Sequence, residues 1–323
     1  MTRTRTVGKA CLGATAIVIV GCFLLVALSE RRLPGYSPAR LSLVSSFGLG
    51  FSYDYSNPGA WVAAISEQAG LLTVYDAGSH QMRSYDLDGR MCGSFGSEGM
   101  LPGEFMSPAG VDMDCDGNIY VADRRIPVIR CYARTGDFLR QYPEAQGVWG
   151  WSSVCSRGAG VVVASPEPGS ALIRRKGLYE LGENIAREVT TDCFGPVAVD
   201  SRDHVYVLNL LSRKRRGFET HQTIMGIAAS GRRVFSARHR DSMLKTSLRY
   251  WPQASCLVLT NSGSRRVEAY RTDGTPLGNL LEIPESEPPP IAALPAGLRL
   301  YVVHIDGNVR VYRASMMDEG CRM

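Results

Sequence analysis

A short apolar strand closed by a polar residue recurs six times along the chain. The copies end at Asp76, Asp123, Ser165, Asn209, Asn261 and His304, so successive ends are 47, 42, 44, 52 and 43 residues apart. Gly, Pro, Asn and Asp turn signals and further short strands surround each copy, and an uncharged run of 20 residues, Ala10 to Ser29, precedes them all. Together these observations predict an all-β fold, a six-bladed β-propeller of four-stranded blades preceded by one N-terminal transmembrane or signal helix.

Residues 1–9 carry Arg3, Arg5 and Lys9 and no acid, as a cytoplasmic basic region would. Coiled as a helix, residues 10–29 span about 30 Å, the thickness of a bilayer's hydrocarbon core. Three fates fit this segment. It stays as a single-pass anchor, or it is a signal peptide cleaved after Ala27-Leu28-Ser29, or Ile19-Val20-Gly21-Cys22 resembles a lipobox whose Cys22 is acylated. Each delivers the rest of the chain to the extracytoplasmic side of the cell membrane.

Residues 30–40 form a polar linker with Pro34, Gly35 and Pro38, residues 41–314 the propeller, and residues 315–323 a tail. Leu41 to Gly48 reads as a fourth strand that precedes any first strand. It is expected to complete the last blade, which otherwise ends after Tyr312, so that closure removes free sheet edges. At 323 residues with 45% apolar content, six blades use nearly the whole chain as one domain, expected to be monomeric.

The clearest blade is Gly99 to Phe138. Met106 to Gly110 is a turn segment, Val111 to Asp114 alternates apolar and polar, and Cys115-Asp116-Gly117-Asn118 is a tight turn into the strand Ile119 to Ala122, ended by Asp123. Val128 to Tyr132 is a third strand, and Arg134-Thr135-Gly136 leads to a fourth at Asp137 to Gln141. Pro108 and Gly110, Gly117 with Asn118, Tyr120 to Asp123, and Gly136 with Phe138 together resemble an NHL repeat. The resemblance implies a propeller of such blades. Third strands are expected at Gln81–Tyr85, Leu172–Arg174, Arg266–Tyr270 and Val309–Tyr312, whereas Leu210 to Gln222 is too polar and basic to read as one.

Of the nine cysteines, Cys11 and Cys22 lie in the N-terminal run. The remaining seven are widely spaced and contain no C-x-x-C pair, which speaks against a zinc or redox motif and for small buried hydrophobes. Net charge is +5, yet residues 202–249 hold 11 Lys and Arg against 3 acids, centred on Arg213-Lys214-Arg215-Arg216. This cluster is the candidate site for an anionic partner. Export and the lack of an accompanying aromatic stacking set argue against nucleic acid.

The six strand-end residues Asp76, Asp123, Ser165, Asn209, Asn261 and His304 are expected to gather at one mouth of the central channel. Such a ring either caps strand ends on backbone turns or holds Ca²⁺. Six-bladed propellers related to the NHL type include a histidine-using, metal-dependent lyase and calcium-dependent lactone hydrolases. The five histidines here show no metal-ligand spacing, so no catalytic residue and no cofactor beyond that Ca²⁺ is assigned. The expected role is a membrane-anchored binding module for a protein or an anionic polymer, acting through propeller loops. The alternative is a Ca- or Zn-dependent hydrolase or lyase at the channel mouth.

Overall fold

The computed structural model describes residues 38–50, 62–142, 153–157, 160–164, 177–182, 186–191, 195–209, 222–239 and 246–316. The N-terminal segment with Cys22, the ring member Ser165 and the basic run 213–216 lie outside them. Ser37–Met317 forms one unit.

The described residues open with β1 (Pro38–Gly48) and then build blade 1 from β2 (Ala63–Ser66), β3 (Leu71–Asp76), β4 (Gln81–Asp86) and β5 (Met91–Phe95). A small parallel pair, β6 (Ser97–Glu98) and β7 (Glu104–Phe105), leads into blade 2, which comprises β8 (Pro108–Met113), β9 (Ile119–Asp123), β10 (Ile129–Tyr132) and β11 (Phe138–Tyr142). Blade 3 is β12 (Ser153–Arg157), β13 (Gly160–Ala164), β14 (Gly177–Leu181) and β15 (Ala186–Thr191), and blade 4 is β16 (Val197–Val199), β17 (Val205–Asn209), β18 (Gln222–Ile227) and β19 (Arg233–His239). Blade 5 follows as β20 (Thr246–Trp251), β21 (Cys256–Asn261), β22 (Arg266–Arg271) and β23 (Pro276–Glu282). Blade 6 joins β24 (Pro290–Ala296), β25 (Arg299–His304) and β26 (Asn308–Met316) to β1. Among the described residues, then, six four-stranded antiparallel sheets form an all-β, six-bladed propeller whose first strands pack side by side around the axis.

β1 pairs with β26 from Pro38↔Met316 to Gly48↔Asn308. The first strand of the propeller in sequence, β1, therefore occupies the fourth position of the last blade. Beyond it, the Leu49 carbonyl accepts from Tyr85 Oη at 2.5 Å, which ties the closing strand to blade 1.

Each second strand reads as a continuous apolar run because both of its faces are covered. Side chains alternate across a strand, so Tyr120 and Ala122 of β9 pack toward blade 3 with Val154, Val161 and Tyr179, while Ile119 and Val121 pack toward blade 1 with Leu71, Tyr75 and Phe105. Six such clusters, one at each seam between neighbouring blades, make up the core. Burying one of these large side chains stabilises by about 1.5–3 kcal/mol.

The first-to-second-strand turns hold themselves. In blade 2, Asp114 Oδ1 accepts from the Asp116 and Asn118 backbone N–H, and Oδ2 accepts from Asn118 Nδ2 and Tyr120 Oη, all within 2.8–3.0 Å. Blade 4 repeats this at Asp200, whose oxygens take the Arg202 and His204 N–H and Tyr206 Oη. The left-handed position of the turn is Gly117 (φ 85°) in one case and Asp203 (φ 62°) in the other, a residue type that tolerates it.

One expected third strand lies elsewhere, and the one left unread in blade 4 is now placed. In blade 3 the strand paired with β13 is Gly177–Leu181, where Leu178, Tyr179 and Leu181 are buried, while 172–174 lies outside the described residues. In blade 4 it is Gln222–Ile227, beyond the basic run rather than within it, because only there do apolar side chains return.

Candidate functional site

In a four-stranded meander the links from second to third strand and from blade to blade emerge on one face, here called the upper face. The remaining turns, and both ends of the propeller at Pro38 and Met316, lie on the other. The five described strand-end residues all sit at the upper face, on second strands, one strand out from the channel wall. They are buried, with relative exposures of 0–8%.

Their side chains are engaged close to home. Asp76 accepts from Gly78 N (3.0 Å), Ser79 Oγ (2.6 Å) and Arg83 Nη2 (2.6 Å). Asp123 accepts from the backbone N–H of Met106, Ser107 and Arg125 at 2.8–2.9 Å. Asn261 Oδ1 accepts from Gly263 and Ser264 N–H. His304 differs, because its Nδ1 donates to the Pro288 carbonyl at 2.7 Å, leaving Nε2 buried without a partner. Burial lowers the His304 pKa, which keeps the ring neutral. Among the described residues no three His, Cys, Asp or Glu side chains cluster closely enough to hold a metal ion.

One register row on the third strands anchors this rim. Arg83, Arg130 and Arg310 lie opposite Val74, Val121 and Val302, two positions before each second-strand end. Arg83 binds Asp76, Arg310 binds Glu287, and Arg130, only 6% exposed, clasps the crossover between blades 1 and 2. Its Nη1 donates to the carbonyls of Leu101 (2.7 Å) and Glu104 (3.0 Å), and its Nη2 to that of Met100. Gly103 N adds a bond to Tyr132 Oη at 3.2 Å, and Leu101 N one to Glu104 Oε2 at 2.8 Å. The loop is thus fixed from beneath while Met100 and Leu101 stand 53% and 67% exposed at its tip. Arg124 and Arg125 are exposed on the neighbouring upper loop.

The channel waist brings together residues the sequence did not single out. A cavity of about 180 Å³ is lined from all six first strands, with Ile65, Asp112, Cys155, Ser156, Arg249 and Tyr250 among its walls. Asp112, Cys155 and Arg249 share one register position, opposite Tyr120, Val162 and Val258, each three before a second-strand end. Ala64, Ala198 and Leu294 take that position in the other blades. Gly110 lets the wall close, since a Cβ there would lie 2.7 Å from Ser153 Cα.

Arg249 reaches across the axis, its Nη2 donating to the carbonyls of Ala63 in blade 1 and Val111 in blade 2, both at 2.9 Å. Asp112 Oδ2 accepts from Ser156 N (2.7 Å) and Oγ (2.9 Å). Burial and the Asp112 carboxylate push the Cys155 thiol well above its ordinary 9.0, with Arg249 pulling the other way, so the thiol stays protonated. The five described cysteines are all free; Cys131 and Cys256 are buried as expected, whereas Cys92 and Cys115 are exposed, since they sit on an outer strand and in a turn.

No protein-family model matches the sequence, and no curated protein sequence matches it. Among solved structures the chain is similar to a gluconolactonase from Xanthomonas campestris, at 12% identity over 87% of this chain and 97% of that one, TM-score 0.59. A second structure assigned as a gluconolactonase matches at 13% identity over 88% and 96%, TM-score 0.58. Hydrazine synthase from Kuenenia stuttgartiensis matches at 15% over 79% and 84%, TM-score 0.50. At such identities the likeness shows a shared propeller fold and nothing finer.

Proposed function

We propose that this chain is an NHL-like propeller held at the extracytoplasmic side of the cell membrane by its N-terminal segment, and that it binds a protein or an anionic polymer through upper-face loops. The observation that carries this reading is the clasped crossover. Two large apolar side chains are presented to solvent on a backbone held by Arg130, Tyr132 and Glu104, so little conformational entropy is lost when a partner covers them. The basic run Arg213 to Arg216 falls in sequence between β17 and β18, outside the described residues. Exposed charges act over about 8–10 Å at physiological ionic strength, which suits capture of an acidic partner.

The test uses the detergent-solubilised full chain with polyglutamate as the acidic probe. Binding is expected at low salt and is expected to weaken as salt rises. It should drop at least tenfold when Arg213, Lys214, Arg215 and Arg216 all become Gln. Met100→Ser with Leu101→Ser should leave that salt-dependent part in place. A parent protein with no salt-dependent association, or a quadruple variant that binds as tightly as the parent, would overturn the polyanion reading.

A second reading, a Ca- or Zn-dependent hydrolase at the channel mouth, draws support from the fold shared with gluconolactonases. Elemental analysis of the purified protein decides it, and less than one bound metal per chain after dialysis against calcium and zinc would sink it.

A further inference from the structure

We infer that the channel waist is a binding site for a small zwitterion, a free α-amino acid of about five to eight heavy atoms, with its carboxylate on Arg249 and its ammonium on Asp112. This site is separate from the upper-face loops and does not rest on the reading proposed for them.

Two opposite charges line one cavity without pairing with each other. Each is anchored to the wall instead: Arg249 by two carbonyls from blades 1 and 2, Asp112 by the backbone N–H and hydroxyl of Ser156 in blade 3. These anchors keep the charges from collapsing onto one another. Among the described residues they leave Arg249 Nη1 and Nε without a hydrogen-bond acceptor, and beside Ser156 the Asp112 carboxylate has only the weak thiol donor of Cys155.

A guanidinium with free N–H donors is a carboxylate-recognising group, and a carboxylate oxygen with a free lone pair accepts from an ammonium. A ligand carrying both groups satisfies both ends and brings no net charge into the channel, which a simple anion or cation would do at a high desolvation cost. Size agrees as well. An apolar cavity of about 150 Å³ takes benzene, six heavy atoms, so the 180 Å³ here suits glycine, alanine, serine or proline. Ile65 and Pro295 supply an apolar wall for a short side chain.

Calorimetric titration of the full chain in detergent at pH 7 and constant ionic strength tests this. Glycine, alanine, serine and proline serve as probes, beside lactate, acetate and ethylamine. At least one amino acid should bind saturably with a millimolar or lower Kd. Lactate, which offers a hydroxyl for the ammonium, should bind at least tenfold more weakly, and acetate and ethylamine more weakly still. Asp112→Asn, nearly isosteric and able to keep the Ser156 bonds, should cost at least tenfold in amino-acid affinity with the thermal midpoint nearly unchanged. Arg249→Lys keeps the charge but not the spread of donors and should cost a comparable factor. The proposal is overturned if no amino acid binds at 10 mM, which would leave bridging water as the occupant. It is equally overturned if lactate or acetate binds as well as alanine, or if Asp112→Asn binds like the parent.

Discussion

Asp112 and Asp114 are two residues apart at the end of one strand, and they serve different scales of the structure. Asp114 is consumed by its own turn, bonding to groups two to six residues ahead, whereas Asp112 holds a residue 44 positions away on the next blade. Arg249 extends the second kind of contact, linking across 138 and 186 residues to the far wall of the channel. The first-to-second-strand turns of blades 2 and 4 are held within their own sheets. The waist contacts and the closing strand make six sheets into a ring, so the two regions should fail in different ways.

The largest effect expected is from the longest-range pairing of all. Deleting residues 38–48 removes the fourth strand of blade 6, bares the β26 edge, and uncovers Tyr312 and Ala314, which pack with Leu41. An exposed strand edge invites intermolecular pairing. The variant is expected to aggregate, or to lose its cooperative thermal transition, in light scattering and calorimetry. A deletion variant that stays monomeric and unfolds at the parent's midpoint would show that the ring does not depend on its closure.

Next in size come single changes at the waist and at the first-to-second-strand turns. Arg249→Met strips charge-assisted bonds from two carbonyls and should cost about 1.5–3 kcal/mol, since bonds to charged groups lie in that range. Asp114→Ala and Asp200→Ala each remove the carboxylate acceptor of a buried Tyr hydroxyl and of two turn N–H groups and should cost about 1–3 kcal/mol. The two turns share no partner, so their costs should add within about 0.5 kcal/mol. Urea denaturation of the single and double variants measures this. A coupling above 1 kcal/mol between the two turns would break the distinction drawn between local turn and non-local waist.

That distinction also separates what the sequence made legible from what it did not. The second strands, the Asp114–Asn118 turn and the closing strand were readable because each is a local pattern repeated at a fixed period or a fragment missing its partners. The third strands of blades 3 and 4 follow long links whose length no repeat dictates. Asp112, Cys155 and Arg249 stand in blades 2, 3 and 5, and nothing local marks them. A signal existed nonetheless: aligned three positions from each second-strand end, the facing first-strand residues read Ala64, Asp112, Cys155, Ala198, Arg249 and Leu294. Two charges and a thiol stand out there among small or apolar side chains. The Arg83, Arg130 and Arg310 row could have been found by the same alignment, but what each arginine grips depends on a crossover of unpredictable shape.

The smallest effect expected concerns His304, which works in the opposite sense to Asp76, Asp123 and Asn261. Asp76, Asp123 and Asn261 accept hydrogen bonds, while His304 donates one to the Pro288 carbonyl and has no room to solvate a second proton. Its folded pKa is lowered from the ordinary 6.5, chiefly by burial, so between those two values the unfolded chain binds more protons than the folded one. The stability contributed by neutral His304 is therefore complete above about pH 6.5. It declines as pH falls through the folded pKa, and below that point the slope from this group vanishes. Urea midpoints measured at pH 7.5, 6.5, 5.5 and 5.0 should fall with acidification in the parent. They should fall less steeply in His304→Asn, whose amide can still donate to Pro288 but takes up no proton in this range. Equal slopes in the two proteins would mean that His304 is protonated in the folded state as readily as in the unfolded one, and that the blade 6 rim is no different from the rest.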